Sequence, residues 1–360
     1  MKSVAIILAK NMNNCGMYSV DLAALHFFQK LNVPYDLFCA IPPARVYGEL
    51  NISYLQKSEQ LDDYDVIVYW GDFTTSPMYG LKDFIFQDKH FRGASNTDES
   101  WSRWCSLFLP PVRDNNKVYI SVGQNFQAVR SVLDRMPASE LYERYKGFHH
   151  IFVRDSYSYS ELTDIFPELI NKVTCGMDCS FLVNSSVCDV ERKTDTFCSS
   201  FGRSQFLNYS TLTGVLHGYG LNEAIGTDWL KLREYRSHWQ YRKNLDYMRS
   251  ANFVLSDTYH FVINAIRENT PVIGFGNKKT SPVNTLSDFK KDVLFKDLGL
   301  LDYYFYLEDG SLSDAAITTI AELVQAPSFN AKWGIKRAKI SSDISDFEKT
   351  LFKCFIEILR

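Results

Sequence analysis

Short apolar runs alternate with longer amphipathic stretches along most of this chain, and the alternation predicts strands and helices in turn. Val4–Ala9 reads as a buried strand, Met17–Leu31 as a helix and Tyr35–Ala40 as a second strand. Asp65–Trp70 and Lys117–Val122 are apolar runs bounded by polar residues or glycine, as expected of parallel strands covered on both faces. Pro137–Lys146 predicts a helix, His149–Val153 a strand and Ser156–Phe166 a helix. The pattern then breaks into a polar, charged stretch at residues 184–195, NSSVCDVERKTD, which reads as a linker. Beyond it, Thr196–Phe201 predicts a strand and Trp239–Ser250 a helix, while Leu312–Gln325 and Ile344–Leu359 predict amphipathic helices that close the sequence. Strands alternating with helices imply α/β architecture, with one doubly wound domain over 1–183 and a second over 196–360. Two such domains joined by a short linker imply a ligand cleft between them.

The densest signal lies at 252–276, NFVLSDTYHFVINAIRENTPVIGFG. An apolar run ends in Ser256-Asp257-Thr258, an amphipathic helix follows to about Asn269, and Pro271 opens a second apolar run closed by Gly276. Strand, turn, helix and strand in this order form one βαβ unit, and ligands bind where the first turn meets the helix. Helix-terminal N–H groups attract anions, and His260 beside them can move a proton or bond a phosphate. Ser256, Asp257, Thr258 and Tyr259 are therefore candidate donor-binding residues; Asp257 and Thr258 also read as N-cap residues.

Composition narrows the class. The chain has 360 residues, 46% hydrophobic and 22% charged, with a net charge of −3, which argues against a nucleic-acid field. The 15% aromatic share predicts aromatic-rich cores first and stacking platforms second. No apolar run reaches the roughly 20 residues that span a bilayer. The start, MKSVAIILAK, has too short an apolar core for a secretion signal and reads as the first strand, so the protein is expected in the cytoplasm. The eight cysteines lack zinc-site spacing and read as reduced; no metal, cofactor or disulfide is assigned.

Five segments in order carry a family resemblance. They are Asn13-Asn14-Cys15-Gly16 after the first strand, the strand Val118–Val122 ending in Gly123-Gln124, and Val153-Arg154-Asp155 with Ser156. The fourth is Asp178 ahead of Phe181-Leu182, and the fifth is the Ser256–His260 turn with Ala265 and Pro271. Together they resemble the polysaccharide pyruvyl transferase family. The resemblance implies two facing Rossmann-like domains of the kind found in one large class of glycosyltransferases (the GT-B fold). It also implies transfer of a pyruvyl group from phosphoenolpyruvate to a sugar, forming a ketal on a surface polysaccharide or its precursor. The chain departs from the family pattern where Thr258 stands for an arginine and Phe261 for a glycine, and where Trp70-Gly71-Asp72-Phe73 replaces a glycine-rich turn. Arginine grips a phosphate or carboxylate in a bidentate way that threonine cannot.

The expected roles follow. His260 is read as the acid that protonates a leaving phosphate, Arg154 as the holder of an anionic donor and Asp72 as a base for an acceptor hydroxyl. Lys278, with Lys279, is placed at the donor; Asn14, Gly16 and Gln124 are placed at the acceptor, a glycan or lipid-linked sugar. Asp155 reads as a residue ordering the turn. Residues 233–242, REYRSHWQYR, read first as an amphipathic surface helix, and peripheral contact with a membrane stays open. An alternative keeps the fold and takes a nucleotide sugar as donor, a reading that Thr258 favours, since a diphosphate can rest on helix N–H groups and a hydroxyl. A third, a non-catalytic glycan-binding relative, is opposed by the retention of Arg154 and His260.

Overall fold

The computed structural model describes residues 2–11, 14–42, 48–111, 116–184, 190–224, 229–230, 236–278, 281 and 286–360. The chain packs as two compact units: Met1–Met12, Met17–Asn184 and Asp346–Arg360 form the first, and Asn13–Gly16 with Ser185–Ser345 form the second. Five of the twelve residues of the expected linker, 185–189, lie outside the described residues, and its last three already belong to a strand that begins at Lys193.

In the first unit the elements run β1 (Val4–Leu8), α1 (Cys15–Leu31, of which all but Cys15 and Gly16 belong here), β2 (Tyr35–Cys39), β3 (Ile52–Tyr54), β4 (Val66–Asp72), α2 (Thr97–Phe108), β5 (Val118–Gln124), α3 (Ala138–Tyr145), β6 (Phe148–Val153), α4 (Ser156–Ile165) and β7 (Val173–Cys175). Among the described residues the sheet order is β3-β2-β1-β4-β5-β6-β7, every pairing parallel. Strands β1 and β4 are buried along their whole length, which is why their sequences are apolar without alternation. Aromatic rings fill much of this core: Phe27 lies with its ring centroid 4.8–5.5 Å from Phe28, Trp70, Phe352 and Phe355. A ring that is fully buried, as Phe27, Phe28, Trp70 and Phe355 are, contributes about 1.5–3 kcal/mol. Phe352 and Phe355 belong to residues 346–360, which thus pack with the first unit.

The second unit holds β8 (Lys193–Ser200), α5 (Tyr209–Gly218), β9 (Asn222–Ala224), α6 (Ser237–Ser250), β10 (Ala251–Ser256), α7 (Tyr259–Arg267), β11 (Val272–Asn277), α8 (Leu286–Asp297), β12 (Tyr304–Leu307) and α9 (Asp314–Gln325). Its sheet order is β12-β11-β10-β8-β9, again parallel throughout. The final helix, α10 (Phe329–Leu359), is one 31-residue element, longer than the expected Ile344–Leu359, and its last part belongs to the first unit.

Both sheets are doubly wound, as the alternation implied. Each therefore has a switch point where successive connections leave in opposite directions, and such points bind ligands at the carboxyl ends of strands. In the first unit this is the β1/β4 boundary; in the second it is the β8/β10 boundary.

Candidate functional site

At the second unit's switch point, β10 ends in Ser256 and α7 opens at Tyr259, as the sequence predicts. The hydroxyl of Ser256 donates to the Ser200 carbonyl at 2.8 Å and accepts from the Thr258 N–H at 2.9 Å, tying the end of β10 to β8. Thr258 is the N-cap residue of α7, yet its side chain makes no capping bond. Its hydroxyl donates instead to Asp257 at 3.0 Å. The helix start is left with no side-chain cap, so capping does not explain either residue.

Asp257 reaches across the switch point. Its fully buried carboxylate accepts the N–H groups of Gly202 at 3.0 Å, Arg203 at 2.9 Å and Ser204 at 2.6 Å. Consecutive backbone N–H groups of this kind form an anion-binding nest. Here the chain fills it with its own carboxylate. Behind it, the fully buried ammonium of Lys291 donates to the Asp257 carbonyl at 2.6 Å and lies 2.8 Å from Asp288. Burial pushes the Lys291 ammonium below the usual lysine range, against the pull of Asp288. Burial alone would push the Asp288 carboxyl up, but Lys291, Ser204 and Asn277 together hold it below the usual carboxylate range.

His260 is 5% exposed in the first turn of α7. Its carbonyl accepts Asn264 Nδ2 at 2.7 Å, Asn264 Oδ1 accepts the Tyr241 hydroxyl at 2.6 Å, and Arg267 donates to that hydroxyl at 3.0 Å. Arg267 and Arg249 in turn lie 2.5 and 2.6 Å from Glu268. This buried network fixes α7 and so the histidine's backbone. Gly16, expected on the acceptor side, packs against His260 within this unit. A methyl group added there would lie 2.5 Å from His260 Cβ and 2.7 Å from Nδ1. Asn14 serves that turn: its Oδ1 accepts the Gly16 N–H at 2.8 Å. Gly16→Ala is accordingly expected to displace the imidazole and cost about 1–3 kcal/mol by overpacking. Chemical denaturation measures the loss, and an unchanged midpoint would show that the two positions are not in contact.

Tyr259 is buried with Lys290 4.7 Å from its ring centroid. Lys278 is not part of this cluster; it is exposed and lies 2.5 Å from Glu308, the geometry of a surface ion pair. Lys279 and residues 231–235 lie outside the described residues, and the described part of the REYRSHWQYR stretch leaves Trp239 58% exposed on α6.

The first unit carries a separate polar cluster at the carboxyl ends of β4, β5 and β6. Asp72 ends β4 and is 2% exposed, not a solvated loop residue. Its φ is +40°, a left-handed conformation that costs a non-glycine residue roughly 1–3 kcal/mol and marks functional positions more often than others. Gly71 before it has φ +85°. The guanidinium of Arg154 donates to Asp72 and also lies 3.3 Å from Asp155 and 3.9 Å from Asp178. Arg154, expected to grip an anionic donor, is here the counter-ion of three carboxylates. Asp155 N-caps α4 by accepting the Ser158 N–H at 2.7 Å, as expected of a residue that orders the turn.

Gln124 is also committed internally. It is fully buried, its Oε1 accepts the Thr75 N–H at 3.0 Å, and its Nε2 donates to Thr74 at 2.8 Å. It holds the loop after Asp72 in place, so a sugar hydroxyl would have to displace those bonds. Residues that sequence reasoning passed over include Lys10 (2% exposed just after β1), Asn125, Gln127, Lys291 and Asp288. A lone lysine or glutamine reads as surface until the fold buries it. Seven of the eight cysteines lie among the described residues, and no disulfide joins any two of them. No helix among the described residues is long and apolar enough to cross a membrane.

Comparison with known proteins supplies a lineage. The model of the family described as polysaccharide pyruvyl transferase matches residues 22–279. None of the curated proteins is similar to the chain in sequence. Among solved structures, the UDP-GlcNAc 2-epimerase of Neisseria meningitidis bound to UDP-GlcNAc aligns over 100% of this chain and 99% of its own, at 11% identity and a TM-score of 0.53. The glycotransferase of kitacinnamycin aligns over 100% and 99% at 12% identity and a TM-score of 0.47. At 11% identity the likeness to the epimerase is one of fold alone, mixed α/β with two Rossmann-like units.

Proposed function

This chain belongs to the polysaccharide pyruvyl transferase family, and from that premise we propose that it transfers a pyruvyl group from phosphoenolpyruvate to a pair of hydroxyls on a glycan or lipid-linked sugar. It is a polysaccharide-modifying transferase. The single observation that carries the choice of donor is the family match, whose span takes in both Asp72 and the His260 turn. In the reaction, two acceptor hydroxyls add at C2 of the enol phosphate. One of their protons ends on the new methyl group, the other on the departing phosphate, and a ketal remains.

In the second unit we assign donor binding to the uncapped start of α7. His260 is there to give the leaving phosphate its proton, and the Thr258 N–H and hydroxyl order the turn. Asp257 is a positioning residue, because its carboxylate already fills the nest at 202–204. In the first unit we assign the acceptor to the Asp72 cluster. Three carboxylates around one guanidinium favour neutral hydroxyl donors over a second anion, and Asp72 is the base. Arg154 then positions Asp72. We place it in the cytoplasm, where cysteines that form no disulfide with one another stay reduced.

A nucleotide-sugar donor is the second reading, favoured by Thr258 in place of the family's arginine. Thermal shift separates the two, since a ligand that binds only the folded state raises its melting temperature. Phosphoenolpyruvate is expected to raise it. A shift with UDP, GDP or CMP and none with phosphoenolpyruvate would replace the pyruvyl reading with glycosyl transfer.

A further inference from the structure

Gln127 sits three residues past β5, in a loop pinned on both sides. The Asn125 N–H donates to the Asp72 carbonyl at 2.6 Å, the Phe126 N–H to Ser158 Oγ at 3.1 Å, and the Gln127 N–H to Asn125 Oδ1 at 2.9 Å. Ala128, next in the chain, has φ +63°, a second non-glycine residue in the left-handed region beside this cluster. The Gln127 side chain is 1% exposed, and neither its Oε1 nor its Nε2 has a hydrogen-bond partner among the described residues. Burying a carboxamide in that state is unfavourable for the donor and the acceptor alike. An apolar side chain of equal length would fill the place without that cost. The loop lies at the carboxyl edge of a parallel sheet, where such folds bind ligands, and its backbone is bonded to Asp72 itself.

We propose that Gln127 is an acceptor-binding residue that engages two neighbouring sugar hydroxyls. The inference rests on the transferase reading above. Ketal formation needs a pair of hydroxyls on one acceptor, and a carboxamide offers one acceptor atom and one donor group side by side, a match for such a pair. The amide finds no partner among the described residues and gains two when the sugar arrives. Polar groups left unpaired without substrate give strong discrimination against analogues that lack the hydroxyl. Asp72, tied to the same loop, then receives a hydroxyl already oriented.

The test uses the whole chain and two substitutions, Gln127→Met and Gln127→Leu, so that a misfolded variant does not decide the matter. The probes are methyl galactoside, methyl glucoside and methyl mannoside with saturating phosphoenolpyruvate, and released phosphate is measured. Removing the buried amide is expected to raise the unliganded melting temperature by about 2–4 °C. The acceptor KM is expected to rise at least about tenfold while kcat changes less than about threefold. A lowered melting temperature with an unchanged acceptor KM would make Gln127 a structural residue and overturn the assignment. If phosphoenolpyruvate neither raises the wild-type melting temperature nor yields phosphate with any of the three, the pyruvyl-transfer reading itself fails, and the assignment with it.

Discussion

Asp257→Ala is expected to destabilise the second unit by about 3–5 kcal/mol, the range seen when one partner of a buried charged interaction is removed. The carboxylate is fully buried and satisfies three successive N–H groups of the 202–204 loop. Alanine would leave all three facing a cavity. It would also unbalance Lys291, whose ammonium is bonded to the same residue's carbonyl and paired with Asp288. Asp257→Asn keeps the shape and one acceptor oxygen but turns an amide donor toward N–H groups, so an intermediate loss is expected. Urea denaturation followed by fluorescence reads the difference. A loss below about 1 kcal/mol for alanine would mean that the loop finds other partners, and that Asp257 is free for a ligand after all.

His260→Gln should have the largest effect on turnover. General acid catalysis by a positioned side chain contributes about 10²–10⁴-fold, and glutamine keeps a polar group at the helix start without a transferable proton. The neighbours that hold α7 do so through the His260 carbonyl and through Asn264, Tyr241 and Arg267, none of which the substitution touches. The melting temperature should therefore move little while kcat falls. Turnover equal to wild type would remove His260 from the chemistry and leave it as a packing partner of Gly16.

How much of this was legible in the sequence depended on burial and distance along the chain. Strands β1, β4, β5 and β10 are covered on both faces, so their residues form near-continuous apolar runs that a reader can see. Edge strands β3, β7 and β9 have three residues each, too few to show a period. The first half of α10 was missed because Lys332, Lys336, Arg337 and Lys339 hide its apolar stripe and Gly334 suggests a break.

The site follows the same logic. His260 was visible because strand, turn and helix adjoin in sequence. The destination of the Asp257 carboxylate was not, since the N–H groups it meets lie 53–55 residues away. Arg154 and Asp72 each stand out in the sequence, but their pairing across 82 residues does not: the guanidinium is bonded to the Asp72 carboxylate, which neither segment alone announces. Gln124 reads as a sugar ligand from its place after Gly123, while its bonds to Thr74 and Thr75, some 50 residues away, are visible only in the fold.

The central claim is pyruvyl transfer from phosphoenolpyruvate, and product analysis tests it most directly. The purified chain, incubated with phosphoenolpyruvate and a glycan acceptor, should release inorganic phosphate in step with a new ketal on the acceptor, detected by mass spectrometry and NMR. Phosphate and ketal appearing one for one would establish the reaction. Intact phosphoenolpyruvate, with glycosyl transfer from a nucleotide sugar in the same mixture, would contradict it.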